Sequence, residues 1–215
     1  MSSASYRHHI SFRPEESDVV ADISHSFGSL SRAIDVILAW RLRQGPPPDA
    51  PVSLGSLQRH VVLSRPYLRG QGGTLTQAQL ATMVSDGLRR WGAAREVGSL
   101  SSPVARRGPA APAPLMPLYK GTSATESAAR TMGLLAFESG EDLAVVEGRW
   151  VTKVLREVPP PPPSSQSVVD IEPLVDRATY DLYNLRWAEY RQAGMNVDRV
   201  IAQRIDEALG KREGK

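Results

Sequence analysis

Four histidines, His8, His9, His25 and His60, are the side chains best suited to acid–base or metal work, and none stands at ligand spacing from an acidic partner. The chain has no cysteine, which excludes disulfides, zinc–thiolate sites and thiol nucleophiles. No glycine-rich phosphate loop and no GxSxG nucleophile turn occurs. The acidic pairs Glu15/Glu16 and Glu141/Asp142 fall where a helix start or a turn is expected, so they read as solvated charge. A metal-dependent nuclease would want several clustered carboxylates, and the sequence does not group them. The expectation is a protein that is not an enzyme and holds no cofactor or metal. What remains is binding chemistry. His8-His9-Ile10-Ser11-Phe12-Arg13 alternates, with Ile10 and Phe12 on one face of a strand and His9, Ser11 and Arg13 on the other. Positive charge is also concentrated, because residues 46–120 hold nine basic and three acidic side chains. A basic segment attracts phosphate without specifying sequence.

Several elements must position the alternating face. Pro14 ends the strand, and Glu15, Glu16 and Asp18 place negative charge in the first turn of a helix, where the macrodipole favours it. Val20, Ile23 and Phe27 form that helix's apolar face, and Gly28-Ser29 breaks it. Ser29 or Ser31 can cap a second helix, with Leu30, Ile34, Ile37 and Leu38 inward, which runs to Arg43 before Gly45-Pro46. This strand, helix, glycine turn and helix resembles the ribbon-helix-helix family of DNA-binding proteins over residues 6–44. The resemblance implies two chains pairing their strands into an antiparallel ribbon that enters the major groove. Carried over, the base readers are His9, Ser11 and Arg13, with Arg13 placed to bind guanine O6 and N7 bidentately. The start of the second helix, at Leu30 and Ser31 with Arg32 assisting, would clamp a phosphate. On this reading residues 1–45 dimerise, and Arg13→Ala weakens a preferred duplex by about 1–3 kcal/mol. Loss of Arg106 and Arg107 would lower affinity evenly across sequences.

The fold class expected is mainly α with minor β. Residues 1–45 form the ribbon-helix-helix-like module, 46–74 a linker, 75–98 a helix and 99–118 a Pro/Ala/Arg-rich linker. Residues 119–158 form a helix plus a β-hairpin, 159–167 a Pro/Ser linker and 168–215 a helical hairpin. Thr76 to Gln79 fits a capping box, followed by Leu80, Met83, Val84, Leu88 and Trp91 at helical spacing. The string from Leu75 to Ala81 resembles the opening of a helix-turn-helix, but no second helix follows a glycine turn. Thr125 to Phe137 has helical character and Gly140 stops it. Leu143 to Val146 and Arg149 to Val154 are β-prone and joined through Glu147-Gly148. At the C-terminus Ile171, Leu174, Val175, Ala178, Leu182 and Leu185 form one stripe, widened by Tyr183, Trp187 and Tyr190. Gly194 and Asn196 then turn the chain into a facing helix. No internal repeat is evident.

Two functions compete. One is a non-catalytic DNA-binding accessory or regulatory protein acting as a dimer, in a layout that suits plasmid, phage or mobile-element housekeeping. The other is an adaptor or structural subunit of a larger assembly, without sequence-specific reading. Expected interfaces with a partner are Ile10 and Phe12 in the ribbon, and Tyr183, Trp187 and Tyr190 in the C-terminal hairpin, with Trp187 buried against another element. The face bearing Ile10 and Phe12 discriminates: pairing across a two-fold favours the first function, pairing within the chain the second. A polar start from Met1 to Arg13 and the lack of long apolar runs lead to the expectation of a cytoplasmic protein without a membrane partner.

Overall fold

The computed structural model describes residues 5–45, 55–64, 69–70, 73–101, 114–118, 122–156 and 168–213. Arg106 and Arg107, the proline groups at 46–51 and 159–163, and most of the 99–118 tract lie outside them. The protein is mainly helical with small antiparallel strand pairs. It divides into two units, residues 1–101 with 137–141, and residues 102–136 with 142–215.

The first unit starts with β1 (Ser5–Phe12) and a single 3-10 turn (Pro14–Glu16). Helices α1 (Ser17–Ser26) and α2 (Leu30–Arg43) follow. Gly28 makes the turn between them at φ 73, a backbone angle that costs glycine nothing. Residues 57–64, expected as linker, form a second strand, β2 (Leu57–Ser64), which pairs antiparallel with β1. The ribbon expected between two chains is therefore closed within one. Short strands β3 (Arg69–Gly70) and β4 (Gly73–Thr74) precede α3 (Gln77–Ser101). The capping box at the start of α3 is made in both directions. Thr76 Oγ1 accepts from Gln79 N–H at 3.2 Å, and Gln79 Oε1 accepts from Thr76 N–H at 2.9 Å. The core gathers Ile10, Phe12, Val61 and Leu63 from the ribbon with Ile23, Phe27, Ile34, Ile37, Met83 and Trp91 from the helices, all buried. Gly87 lets α3 approach α2 closely, since a Cβ there would stand 2.3 Å from Ile37.

The second unit contains β5 (Met116–Pro117), β6 (Ser123–Thr125) and α4 (Glu126–Ser139) as far as Ala136. Next comes α5 (Leu143–Leu155), where the hairpin was expected. Val145, Val146, Val151 and Val154 have β propensity. Leu143, Val146, Glu147, Trp150, Val151 and Val154, however, recur at helical period and share one buried face, and that tertiary demand overrides propensity. Glu147-Gly148 is no turn. Glu147 is buried and accepts the Glu172 N–H at 3.0 Å, and Gly148 is where α5 meets β8. Strands β7 (Val168–Asp170) and β8 (Leu174–Val175) pair antiparallel with β6 and β5 respectively.

Helices α6 (Arg177–Gln192) and α7 (Val197–Glu213) form the expected C-terminal pair. The stripe is rotated from its expected position: Thr179, Tyr183 and Tyr190 face inward, whereas Leu185 is 55% exposed. Ile171, Leu174 and Val175 precede the helix and belong to the strand segment.

The sequence also holds repeats that were not expected. Gly140-Glu141-Asp142-Leu143 leads into α5 as Gly194-Met195-Asn196-Val197 leads into α7, and both glycines take positive φ, 68 and 71. Counting on from there, Val146, Val151, Val154 and Leu155 correspond to Val200, Ile205, Ala208 and Leu209, all buried. A strand followed by two helices thus occurs twice between Ser123 and Glu213.

Candidate nucleic-acid interface

The β1–β2 ribbon has two chemically distinct faces because side chains alternate along each strand. In the pairing register His8, Ile10 and Phe12 oppose Val61, Arg59 and Leu57, and on this face Ile10, Phe12, Val61 and Leu63 are buried in the core. The other face carries Arg7, His9 and Ser11 opposite Val62, His60 and Gln58. Five of these six are exposed and Ser11 is half-buried. The two strands contain two arginines, three histidines and no acidic residue. At the centre His9 lies directly opposite His60, with ring centroids 4.0 Å apart.

Helix starts flank both edges. The Val62 N–H donates to Ser31 Oγ at 2.9 Å, fastening β2 to the first turn of α2. On the other edge the Gln77 side-chain amide donates to the His9 carbonyl, fastening β1 to the start of α3. Ser29 caps α2 by accepting the Arg32 N–H at 3.2 Å. Leu30, Ser31 and Arg32 therefore stand beside the ribbon, where a helix N-terminus attracts phosphate.

Arg13 is not among the outward side chains. The strand stops at Phe12, and Arg13 caps the 3-10 turn. Its N–H donates to Glu16 Oε2 at 2.8 Å, and its Nη2 donates to Glu16 Oε1 at 3.0 Å and Ser85 Oγ at 2.6 Å. Ser85 Oγ in turn donates to Glu16 Oε1 at 2.6 Å. Arg13 thus ties the turn to α3. Burial opposes ionisation of Glu16, but the hydrogen bonds from Ser85 and Arg13 outweigh it and hold the carboxyl below its ordinary value. A folded value below the unfolded one gives stability that is complete above the unfolded pKa and is lost as pH falls through the folded pKa. Denaturant midpoints measured between neutral pH and pH 3 should show it: the gap between the parent protein and Glu16→Gln closes on acidification.

The expected partner surface is largely internal. Ile10 and Phe12 are 0% and 2% exposed beneath the chain's own ribbon, and Tyr183 and Tyr190 are buried in the second unit. Trp187 is half-buried, with the Arg191 guanidinium 5.0 Å over its ring, rather than sealed against another element. Residues that the sequence reading passed over, Arg7, Gln58, Arg59 and Val62, belong to the ribbon, and His60 joins His9 at its centre. The signal was present as a second copy of a short pattern, His60-Val61-Val62-Leu63 after His9-Ile10-Ser11-Phe12. The second unit's strand segments instead expose Asp170 and Glu172, which would repel a polyanion.

Among the described residues no helix is long and apolar enough to cross a membrane, and no three or more His, Asp or Glu side chains group as metal ligands. No protein-family model, curated protein or solved structure matches the chain.

Proposed function

We propose that this is a non-catalytic, duplex-DNA-binding protein that lays the outer face of its β1–β2 ribbon in the major groove. The observation that carries this reading is the face itself: two paired strands with Arg7, His9, Ser11, Gln58 and His60 outward and no carboxylate between them. A two-stranded ribbon fits the major groove, and these side-chain types donate to base edges and phosphates. The start of α2 supplies a phosphate-facing helix end at one margin. Pairing within the chain removes the reason for requiring a dimer and by itself favours the adaptor. The charge of the outer face favours DNA. The exposed Leu185 and, on a different side of α6, the half-buried Trp187 leave the second unit a place for a protein contact.

The test is fluorescence anisotropy of the full chain on labelled duplex across a salt series. Arg7 is exposed on the outer face of the ribbon, so Arg7→Ala should weaken duplex binding and lower its salt dependence. Duplex affinity that ignores Arg7→Ala and His9→Ala alike would end this reading in favour of the adaptor.

A further inference from the structure

We infer that the ribbon reads a non-palindromic duplex as a single chain, with its two strands preferring different bases in the two halves of the site. This rests on the DNA-binding reading above and goes beyond it in naming the kind of site. Superposing the pattern His9-Ile10-Ser11-Phe12 on His60-Val61-Val62-Leu63 makes Arg7 equivalent to Gln58 and Ser11 to Val62. Under that equivalence the pair directly opposed at the ribbon's centre, His9 and His60, is a residue facing its own counterpart. An approximate two-fold axis therefore passes between these imidazoles. A helix start holds each outer edge, at positions the axis does not exchange. Ser31 at the start of α2 holds β2, and Gln77 at the start of α3 holds β1. With both outer edges so held, a second copy is not needed to complete the ribbon.

A true two-fold between identical strands presents the same readers to both half-sites, which is why symmetric dimers select palindromes. Here the symmetry fails where bases would be read. One end of the outer face pairs Arg7 with Val62, and the other pairs Ser11 with Gln58. The guanidinium of Arg7 suits guanine O6 and N7, and the methyls of Val62, 44% exposed, suit the methyl of thymine. The carboxamide of Gln58 suits adenine N6 and N7, while Ser11 accepts or donates to either purine or pyrimidine. One half-site is then expected to carry guanine with a neighbouring thymine, and the other adenine.

Selection of the full chain from a randomised duplex pool, followed by native mass spectrometry of the complex, tests this. The expected result is a non-palindromic consensus bound by one chain. Arg7→Ala should relax preference about tenfold to a hundredfold at the guanine and leave the other half unchanged. Gln58→Ala should do the same only at the adenine. Both residues are exposed, so the fold tolerates the changes. A palindromic consensus carrying two chains overturns the inference, and so do two variants that relax the same positions. Salt-sensitive binding with no enriched sequence overturns it but leaves DNA binding standing. No binding to any duplex overturns both.

Discussion

Trp91→Ala should cost the first unit about 3–5 kcal/mol, the usual loss for a buried aromatic truncated to alanine. Trp91 is 0% exposed. Its ring meets Phe27 edge-on at 5.5 Å and lies nearly parallel to Phe137 at 6.1 Å, so truncation forfeits both contacts as well as the buried area. Its indole N–H donates to Asp22 Oδ2 at 2.7 Å, and Asp22 also accepts from Arg95 Nη2 at 3.3 Å. A domain holds only about 5–15 kcal/mol in total, so this loss consumes a large part of it. Trp91→Phe separates the contributions. It keeps most of the packing and loses the hydrogen bond, at about 0.5–1.5 kcal/mol beyond any void left behind. Urea unfolding followed by circular dichroism reads both. A loss under 1 kcal/mol for the alanine variant would mean that Trp91 does not organise this core.

In the second unit the largest effect is expected at a glycine. A Cβ added to Gly148 would sit 1.8 Å from the carbonyl oxygen of Leu174, so α5 and β8 must part to admit it. Overpacking typically costs about 1–3 kcal/mol, and a rigid backbone obstacle places Gly148→Ala at the upper end. That exceeds the roughly 1 kcal/mol by which alanine favours a helix over glycine. Gly210 in α7 supplies the opposite sign within the same unit, because nothing stands within 4 Å of its added Cβ. Gly210→Ala should therefore stabilise by up to about 1 kcal/mol. Thermal unfolding of the two variants tests the pair. Equal shifts would show that the approach of Leu174 to α5 is not what fixes glycine at 148.

Local signals were legible and non-local ones were not. The capping box at Thr76 and the glycine turns at Gly28, Gly140 and Gly194 each depend on neighbours within a few residues, and their hydrogen bonds and φ angles lie where the residue types put them. The partner of β1 is different. It lies beyond α1 and α2, flanked by glycine and proline, and what marks it is the alternation of Val61 and Leu63 after His60, a short echo of Ile10 and Phe12 after His9. The pattern marks a strand, but which strand it pairs with across such a distance leaves no local trace. The stretch from Leu143 to Val154 failed for another reason: residue type and residue period disagreed, and burial against β8 and α7 favoured the period. The candidate site was half visible. His9 and Ser11 were read on the correct face. Arg13 was placed there by extending the alternation past the end of the strand, where its guanidinium turns back to Glu16. The repeats escaped because they preserve residue class and spacing more than identity.

The central claim, that the outer face of the ribbon meets DNA, is tested most directly by the histidine side chains. His9 and His60 face each other on that surface, while His25 lies exposed in the last turn of α1. Imidazole resonances of the full chain, assigned with His→Asn variants, should be followed as duplex is added. The account predicts that His9 and His60 shift together, to saturation at the same DNA concentration, with His25 unmoved. Saturating duplex that shifts His25, or no histidine, while His9 and His60 stay in place would contradict it.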